Sequence, residues 1–287
     1  MSDSDQFNAP PVAYLNEEFL QSSDARVLRI LSEYLEPAAR LRHYKVRDTI
    51  VFFGSARSVS PQVAAKGMEE VEEKIRQSSA LTQELEAERA RAQQAVRLAR
   101  YYNDAVELAR RMTEWSKSLT GSRHFIVCSG GSGGMMEAAN RGASMARGKT
   151  IGLNIKLPTE QYVNEYVSRE FIFNFHYFFM RKLWFVYPAK ALVVFPGGFG
   201  TMDELFEVLT LIQTRTPSKT MPVVLFGKEF WDDVIDFDAL VRWGVVGARD
   251  LDIFHRTDSV DDAFQYLTSR LEELYLTPQG LEEVKLT

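Results

Sequence analysis

Ala191–Gln213, ALVVFPGGFGTMDELFEVLTLIQ, is the stretch from which the rest of the chain can be read. It opens on an apolar, β-branched run, Ala191–Phe195, that stops at Pro196. Three glycines follow at Gly197, Gly198 and Gly200, and apolar residues then recur at Met202, Leu205, Phe206, Leu209 and Ile212. A short continuous apolar run followed by a 3.6-residue period predicts strand, tight loop, helix. The first turn of a helix leaves backbone N–H groups without intrahelical partners and carries the positive end of the macrodipole, so small residues there let an anion approach bare donors. Thr201 is a candidate N-cap, and Glu204 stands three residues on at capping-box spacing. Glu204 therefore has two readings, a helix cap or a carboxylate turned to a ligand.

Upstream the same pattern recurs. His124–Cys128 is a strand candidate, Ser129–Gly134 (SGGSGG) a second glycine loop, and Met135–Arg147 a helix. Glycines here also permit close helix–strand packing, but two such loops in one chain favour binding, because ligands of open parallel sheets lie across loops at the strands' carboxyl ends. Thr49–Phe53 (TIVFF) is a further buried strand, followed by Gly54, Ser55, Ala56 and Arg57, small residues and a cation at that same edge. Arg57 is either a phosphate contact or a surface arginine. Ala143–Thr150 (ASMARGKT) resembles a relaxed P-loop, but it follows a helix and leads into a strand, the reverse of the context a P-loop needs. Gly148 reads better as the residue that ends the helix.

Around these units, residues 1–22 read as a polar arm, Asp24–Arg40 as a helix, and Pro61–Leu119 as a helical excursion with a plausible bend, as of a hairpin, at Gln77-Ser78-Ser79, whose part outside an ordinary core is about 61–100. A loop at Pro158 leads to a strand at Phe171–Phe175. His176–Tyr187 is an apolar helix containing Arg181-Lys182, two cations that need partners or an anionic ligand if buried. Pro217 marks a turn, Pro222–Phe226 a strand, Phe230–Trp243 a helix, Ile253-Phe254 part of a short final strand, and Ser259–Tyr275 a closing helix with Asp258 as candidate cap. Residues 23–275 then make one domain and 276–287 a tail. Strands that alternate with helices predict an α/β, doubly wound, mainly parallel sheet with a long helical insertion.

The net charge of −5 speaks against a general nucleic-acid or membrane surface. A lone cysteine, Cys128, excludes an intrachain disulfide and fits a reducing, cytoplasmic setting. The start, MSDSDQFNAPP, has no apolar signal core, and Phe171–Phe195 is interrupted by Arg181, Lys182 and Lys190, so no membrane span is expected. Four scattered histidines offer no metal site, and no complete G-x-G-x-x-G occurs. What remains is two glycine loops, one carboxylate and one arginine. That inventory suits a nucleoside monophosphate better than a triphosphate, for which a P-loop lysine is wanted. A carboxylate beside a ribose can stabilise the oxocarbenium-like transition state of N-glycosidic cleavage or help activate water.

PGGFGTMDE at Pro196–Glu204 matches the PGGxGTxxE signature of the LOG ("Lonely Guy") family of nucleoside 5′-monophosphate phosphoribohydrolases, formerly labelled lysine decarboxylases. The resemblance takes in Phe53-Gly54-Ser55-Ala56-Arg57, GGSGGMMEAANRGA at Gly130–Ala143 and the Arg181-Lys182 pair, and spans roughly Tyr44 to His255. It implies a Rossmann-like fold, a homodimer or higher homo-oligomer, no cofactor, and hydrolysis of AMP or a cytokinin riboside 5′-monophosphate to free base and ribose 5-phosphate. Carried over by position, Arg181 and Glu204 are the catalytic pair, and Gly197, Gly198, Gly200 and Thr201 the phosphate-binding turn. Gly54, Ser55, Gly131, Gly134, Met135 and Lys182 complete the candidate binding set. Asp203 stands where many members have Glu, aromatics precede Met180-Arg181 as in longer bacterial members, and the 61–100 excursion lies outside the usual core. A non-enzymatic nucleotide or cofactor carrier on the same fold is the alternative.

Overall fold

The computed structural model describes residues 10–119, 124–157, 162–214 and 221–276. The readings at Pro158, Pro217, residues 1–9 and the tail 277–287 lie outside them. Two compact units divide the chain, Met1–Tyr44 and Lys45–Thr287. The first holds a short helix, α1 (Glu17–Gln21), inside the stretch read as an arm, and α2 (Arg26–His43).

The second unit is built on seven strands: β1 (Thr49–Phe53), β2 (Ile126–Ser129), β3 (Thr150–Ile155), β4 (Ile172–Phe175), β5 (Ala189–Val194), β6 (Val223–Phe226) and β7 (Phe254–Thr257). They form one sheet in the order β4-β3-β2-β1-β5-β6-β7, and every neighbouring pair is parallel. The expected doubly wound α/β sheet is therefore present. Parallel strands covered on both faces read as unbroken apolar runs, and β1 and β5 are buried at every position. Alternate residues go to opposite faces. Ile50, Phe52, Ala191, Val193 and Phe195 join the cluster formed with the helices α4 (Gln83–Ser118), α5 (Met135–Met145) and α10 (Val260–Leu271). On the other face, Phe53 meets Phe185 of α6 (Phe178–Val186) edge to face at 4.7 Å.

The excursion is a helical hairpin, α3 (Pro61–Gln77) and α4. Its halves differ in character. From Ala99 onward α4 buries Tyr102, Ala105, Leu108, Ala109 and Met112 in the core, whereas its earlier turns pair with α3 through Lys74–Glu88 and Arg89–Glu72, each at 2.8 Å. Such exposed pairs are worth only about 0–1 kcal/mol each.

Three local readings need correction. The helix after β5, α7 (Phe199–Gln213), begins before Thr201: Gly198 is its N-cap, and Thr201 sits inside the first turn. The stretch Phe230–Trp243 is not one helix but two, α8 (Lys228–Val234) and α9 (Phe237–Arg242), separated where Asp236 caps the second by accepting from the Ala239 N–H. The closing helix is capped by Ser259, which accepts from the Asp262 N–H, while Asp258 accepts from the Lys228 N–H and so serves α8 instead.

Candidate active site

Strand order brings the candidate loops together. β1 and β5 are neighbours from which the sheet runs outward in opposite directions, and the crevice beyond the carboxyl ends at such a point is where open α/β sheets bind ligands. The backbone ties this edge closed: the Ser55 N–H donates to the Pro196 carbonyl at 2.9 Å, and the Met135 N–H to the Ser55 carbonyl at 3.0 Å. The loops after β1, β2 and β5 thus share one rim, and Gly54, Ser55, Gly134, Gly197, Gly198, Gly200 and Thr201 all lie on it.

Two glycines are required there. Gly134 has φ +69°, and a Cβ on it would fall 2.3 Å from the Ser55 carbonyl oxygen. A Cβ on Gly197 would fall 2.2 Å from Thr201 Oγ1, because the threonine folds back over the turn. Beyond Gly198 the N–H groups of Phe199, Gly200 and Thr201 open α7 and have no intrahelical acceptors by construction. Gly198, Phe199 and Gly200 are exposed, whereas Thr201 is buried.

The other loop is braced from beneath by a buried polar network. Asn140 on α5 donates from Nδ2 to Thr150 Oγ1 at 2.6 Å, and its Oδ1 accepts from Ser129 Oγ at 2.7 Å and from Asn164 Nδ2 at 2.9 Å. Asn164 also donates to the Ser132 carbonyl at 2.9 Å, and its N–H to the Gly131 carbonyl at 2.8 Å. The Gly131 N–H is taken by Ser129 Oγ. Met135 lies in the core against Gly54 with its N–H bound to Ser55, so of the candidate set Gly131 and Met135 face inward. Sequence reasoning missed Asn140 and Asn164. A lone asparagine in a loop 30 residues downstream carries no local signal. Above the loop stands Tyr162, whose hydroxyl lies 2.7 Å from where a Gly133 Cβ would be.

Arg181 and Lys182 on α6 meet Glu204 and its neighbours on α7. Glu204 is 4% exposed, and its Oε2 is buried without a hydrogen-bond partner. Burial first of all lifts its carboxyl from 4.5 to about 7; Lys182 opposes the rise, Glu207 adds to it, Arg181 opposes and Asp203 adds. Arg181 is half-buried between the rings of Phe178 and Phe185, at 5.3 and 5.5 Å, and its Nε is also buried and unpartnered. Burial holds its pKa below the ordinary value, against the pull of Glu204 and Asp203. Lys182 is differently engaged: its Nζ lies 2.8 Å from Asp203 Oδ2 and 2.8 Å from Glu207 Oε2. Sequence spacing did hold a sign of this, since Asp203 and Glu207 are four apart on one helical face and call for a cation.

A carboxyl and a guanidinium each keep a buried polar atom open beside a turn of free N–H donors. Buried polar atoms are ordinarily hydrogen-bonded, so two open ones at one rim have the character of a binding site. Among the described residues no cluster of three metal-ligating side chains occurs, and no helix is long and apolar enough to cross a membrane.

Parts of the chain are similar to known proteins. The family profile described as possible lysine decarboxylase matches residues 136–267, from α5 into α10. A probable cytokinin riboside 5′-monophosphate phosphoribohydrolase, LOGL5 of Oryza sativa subsp. japonica, is 29% identical over 193 residues, covering 66% of this chain and 72% of that protein. A second from the same plant, LOG4, is 26% identical over 147 residues, covering 50% and 62%. Among solved structures, that of TM1055 aligns at a TM-score of 0.46 with 20% identity, over 77% of this chain and 99% of the other. A molybdenum cofactor binding protein from Rippkaea orientalis aligns at 0.45 with 16% identity, over 79% and 99%.

Proposed function

We propose that this chain, a LOG-family protein, hydrolyses the N-glycosidic bond of a nucleoside 5′-monophosphate, AMP or a cytokinin riboside 5′-monophosphate, to free base and ribose 5-phosphate. The observation that carries the reading is Glu204: a buried carboxyl with one oxygen unpartnered, next to the glycine turn that opens α7. The phosphate sits on the N–H groups of that turn, where the helix dipole favours an anion. The ribose then lies toward Glu204. As the bond to the base lengthens, positive charge develops on the sugar, and a carboxylate in a water-poor site stabilises it strongly. With a pKa of about 7, Glu204 is also poised at neutral pH to take a proton from an attacking water. Arg181 orients the nucleotide and meets negative charge with its open Nε.

The active form is a cytoplasmic homodimer in this reading, and the exposed Phe178, Phe179 and Leu183 of α6 are the apolar surface such a pairing would use.

Purified protein incubated with a panel of nucleoside 5′-monophosphates, including N6-isopentenyl-adenosine monophosphate, followed by chromatography for released base, tests the proposal. Adenine from AMP supports an AMP nucleosidase, and selective release of the substituted base supports cytokinin activation. Tight binding with no base released from any nucleotide would overturn hydrolysis in favour of a carrier. Glu204→Gln is expected to retain nucleotide binding and lose at least about a hundredfold in turnover, by analogy with removal of one transition-state-stabilising group.

A further inference from the structure

Lys182 has the sequence position of a phosphate ligand but the contacts of something else. Its side chain is 20% exposed, and its ammonium is held between Asp203 and Glu207 at 2.8 Å each. Those two carboxylates flank Glu204 on the same helix, so α7 presents three acidic groups within five residues. Like charges this close repel and favour protonation of the most buried member. We propose that Lys182 is a positioning residue that governs the charge carried by Glu204, with Glu207 as its counterweight, and that the phosphate is left to the backbone of the glycine turn. This rests on the reading of Glu204 as the group that faces the sugar.

The charged groups that act on Glu204 come from two elements, Arg181 and Lys182 on α6 and Asp203 and Glu207 on α7. Of the two cations, Lys182 does more than Arg181 to favour the carboxylate. Of the two acids, Glu207 does more than Asp203 to oppose it. Burial works against the Lys182 ammonium, but its bonds to Asp203 and Glu207 prevail and hold its pKa above the ordinary lysine value, so the cation is present throughout the range in which Glu204 titrates. Without it, burial and Glu207 would keep Glu204 protonated at neutral pH, and a neutral carboxyl offers little to a cationic sugar.

The test is a set of variants whose effects differ in sign. In the pH profile of kcat/KM, Lys182→Met is expected to move the acid limb up by about one pH unit, as for loss of a nearby opposite charge. Glu207→Gln should move it down, Lys182→Arg should leave it in place, and the double variant Lys182→Met with Glu207→Gln should return it toward the parent. A direct phosphate ligand would behave otherwise: Lys182→Met would raise KM manyfold with the limb unmoved, and that result overturns the proposal. So would limb movements of one sign in both single variants. A readout independent of turnover is the 13C carboxyl titration of Glu204 in the free protein, assigned by its loss in Glu204→Gln. Its midpoint should move in the same directions. If no nucleotide is hydrolysed, the NMR midpoints still decide whether Lys182 governs Glu204. Should Lys182→Met not fold, Glu207→Gln and Lys182→Arg decide it, and an unmoved midpoint in Glu207→Gln refutes it.

Discussion

Replacing Glu204 by glutamine should stabilise the protein at pH 8 and change its stability little at pH 5. The carboxyl is 4% exposed, and burial, the largest influence on it, lifts its pKa from 4.5 to about 7. In the unfolded chain the group returns to its ordinary value, so between pH 4.5 and about 7 the folded state holds a proton that the unfolded state has lost. The free energy of unfolding therefore falls as pH rises through that window and levels off above it. The rise from 4.5 to about 7, at about 1.4 kcal/mol per pH unit, comes to about 3 kcal/mol. Glutamine has nearly the same shape and never ionises, so the variant lacks this cost. The stability difference between variant and parent should grow from under about 1 kcal/mol at pH 5 to about 3 kcal/mol at pH 8. In a chain of this size that corresponds to a rise in Tm of about 5–10 °C. Urea unfolding of both proteins at pH 5, 6, 7 and 8 reads it directly. A difference that is constant with pH, or that grows toward acid, would refute the argument that burial sets the charge of Glu204. A carboxylate retained against such a cost is what a working site is expected to hold.

Other consequences follow from particular contacts. Gly134→Ala places a Cβ 2.3 Å from the Ser55 carbonyl oxygen at a φ of +69°, so it should cost at least about 2 kcal/mol and weaken nucleotide binding; unchanged urea midpoint and affinity would contradict the account of the rim. Asn164→Ala removes donors to Ser132 and Asn140 inside a buried network, and an expected loss of about 2–4 kcal/mol should come with faster amide exchange in Ser129–Gly134; a loss below about 0.5 kcal/mol would mean the network does not brace the loop. Cys128 is fully buried and burial pushes its thiol well above the ordinary range, so a thiol reagent should fail to modify the native protein and react only once denaturant is added.

The elements of the site were largely legible in the sequence because their signals are short-range. The apolar run ending at Pro196, the glycines after it and the 3.6-residue period of Met202–Ile212 lie within one stretch, as do SGGSGG and the helix it opens. The Thr201-x-x-Glu204 spacing misled for a related reason. A capping box is a local pattern, but the chain entered the helix at Gly198, which placed Thr201 in the first turn and Glu204 on its buried face. Asp258 failed in the same way, with Ser259 beside it taking the cap while Asp258 bonded across to Lys228. Lys182 was placed correctly on its helix, and the four-residue spacing of Asp203 and Glu207 called for a cation, but only the packing of one helix against the other decided which cation would meet them.

The sequence by itself determined which segments are strand, loop and helix, where bare N–H donors would cluster and which charged residues lie near them, since all of this depends on neighbours within about a turn or a strand length. Tertiary structure alone decided that the loops after β1, β2 and β5 share a rim, because the order of parallel strands is set by how their apolar faces pack with helices distant in sequence. It also decided the charge of Glu204. A carboxyl group's affinity for its proton depends on the water removed around it and on the charges brought within a few ångströms, and neither quantity exists until the chain has folded.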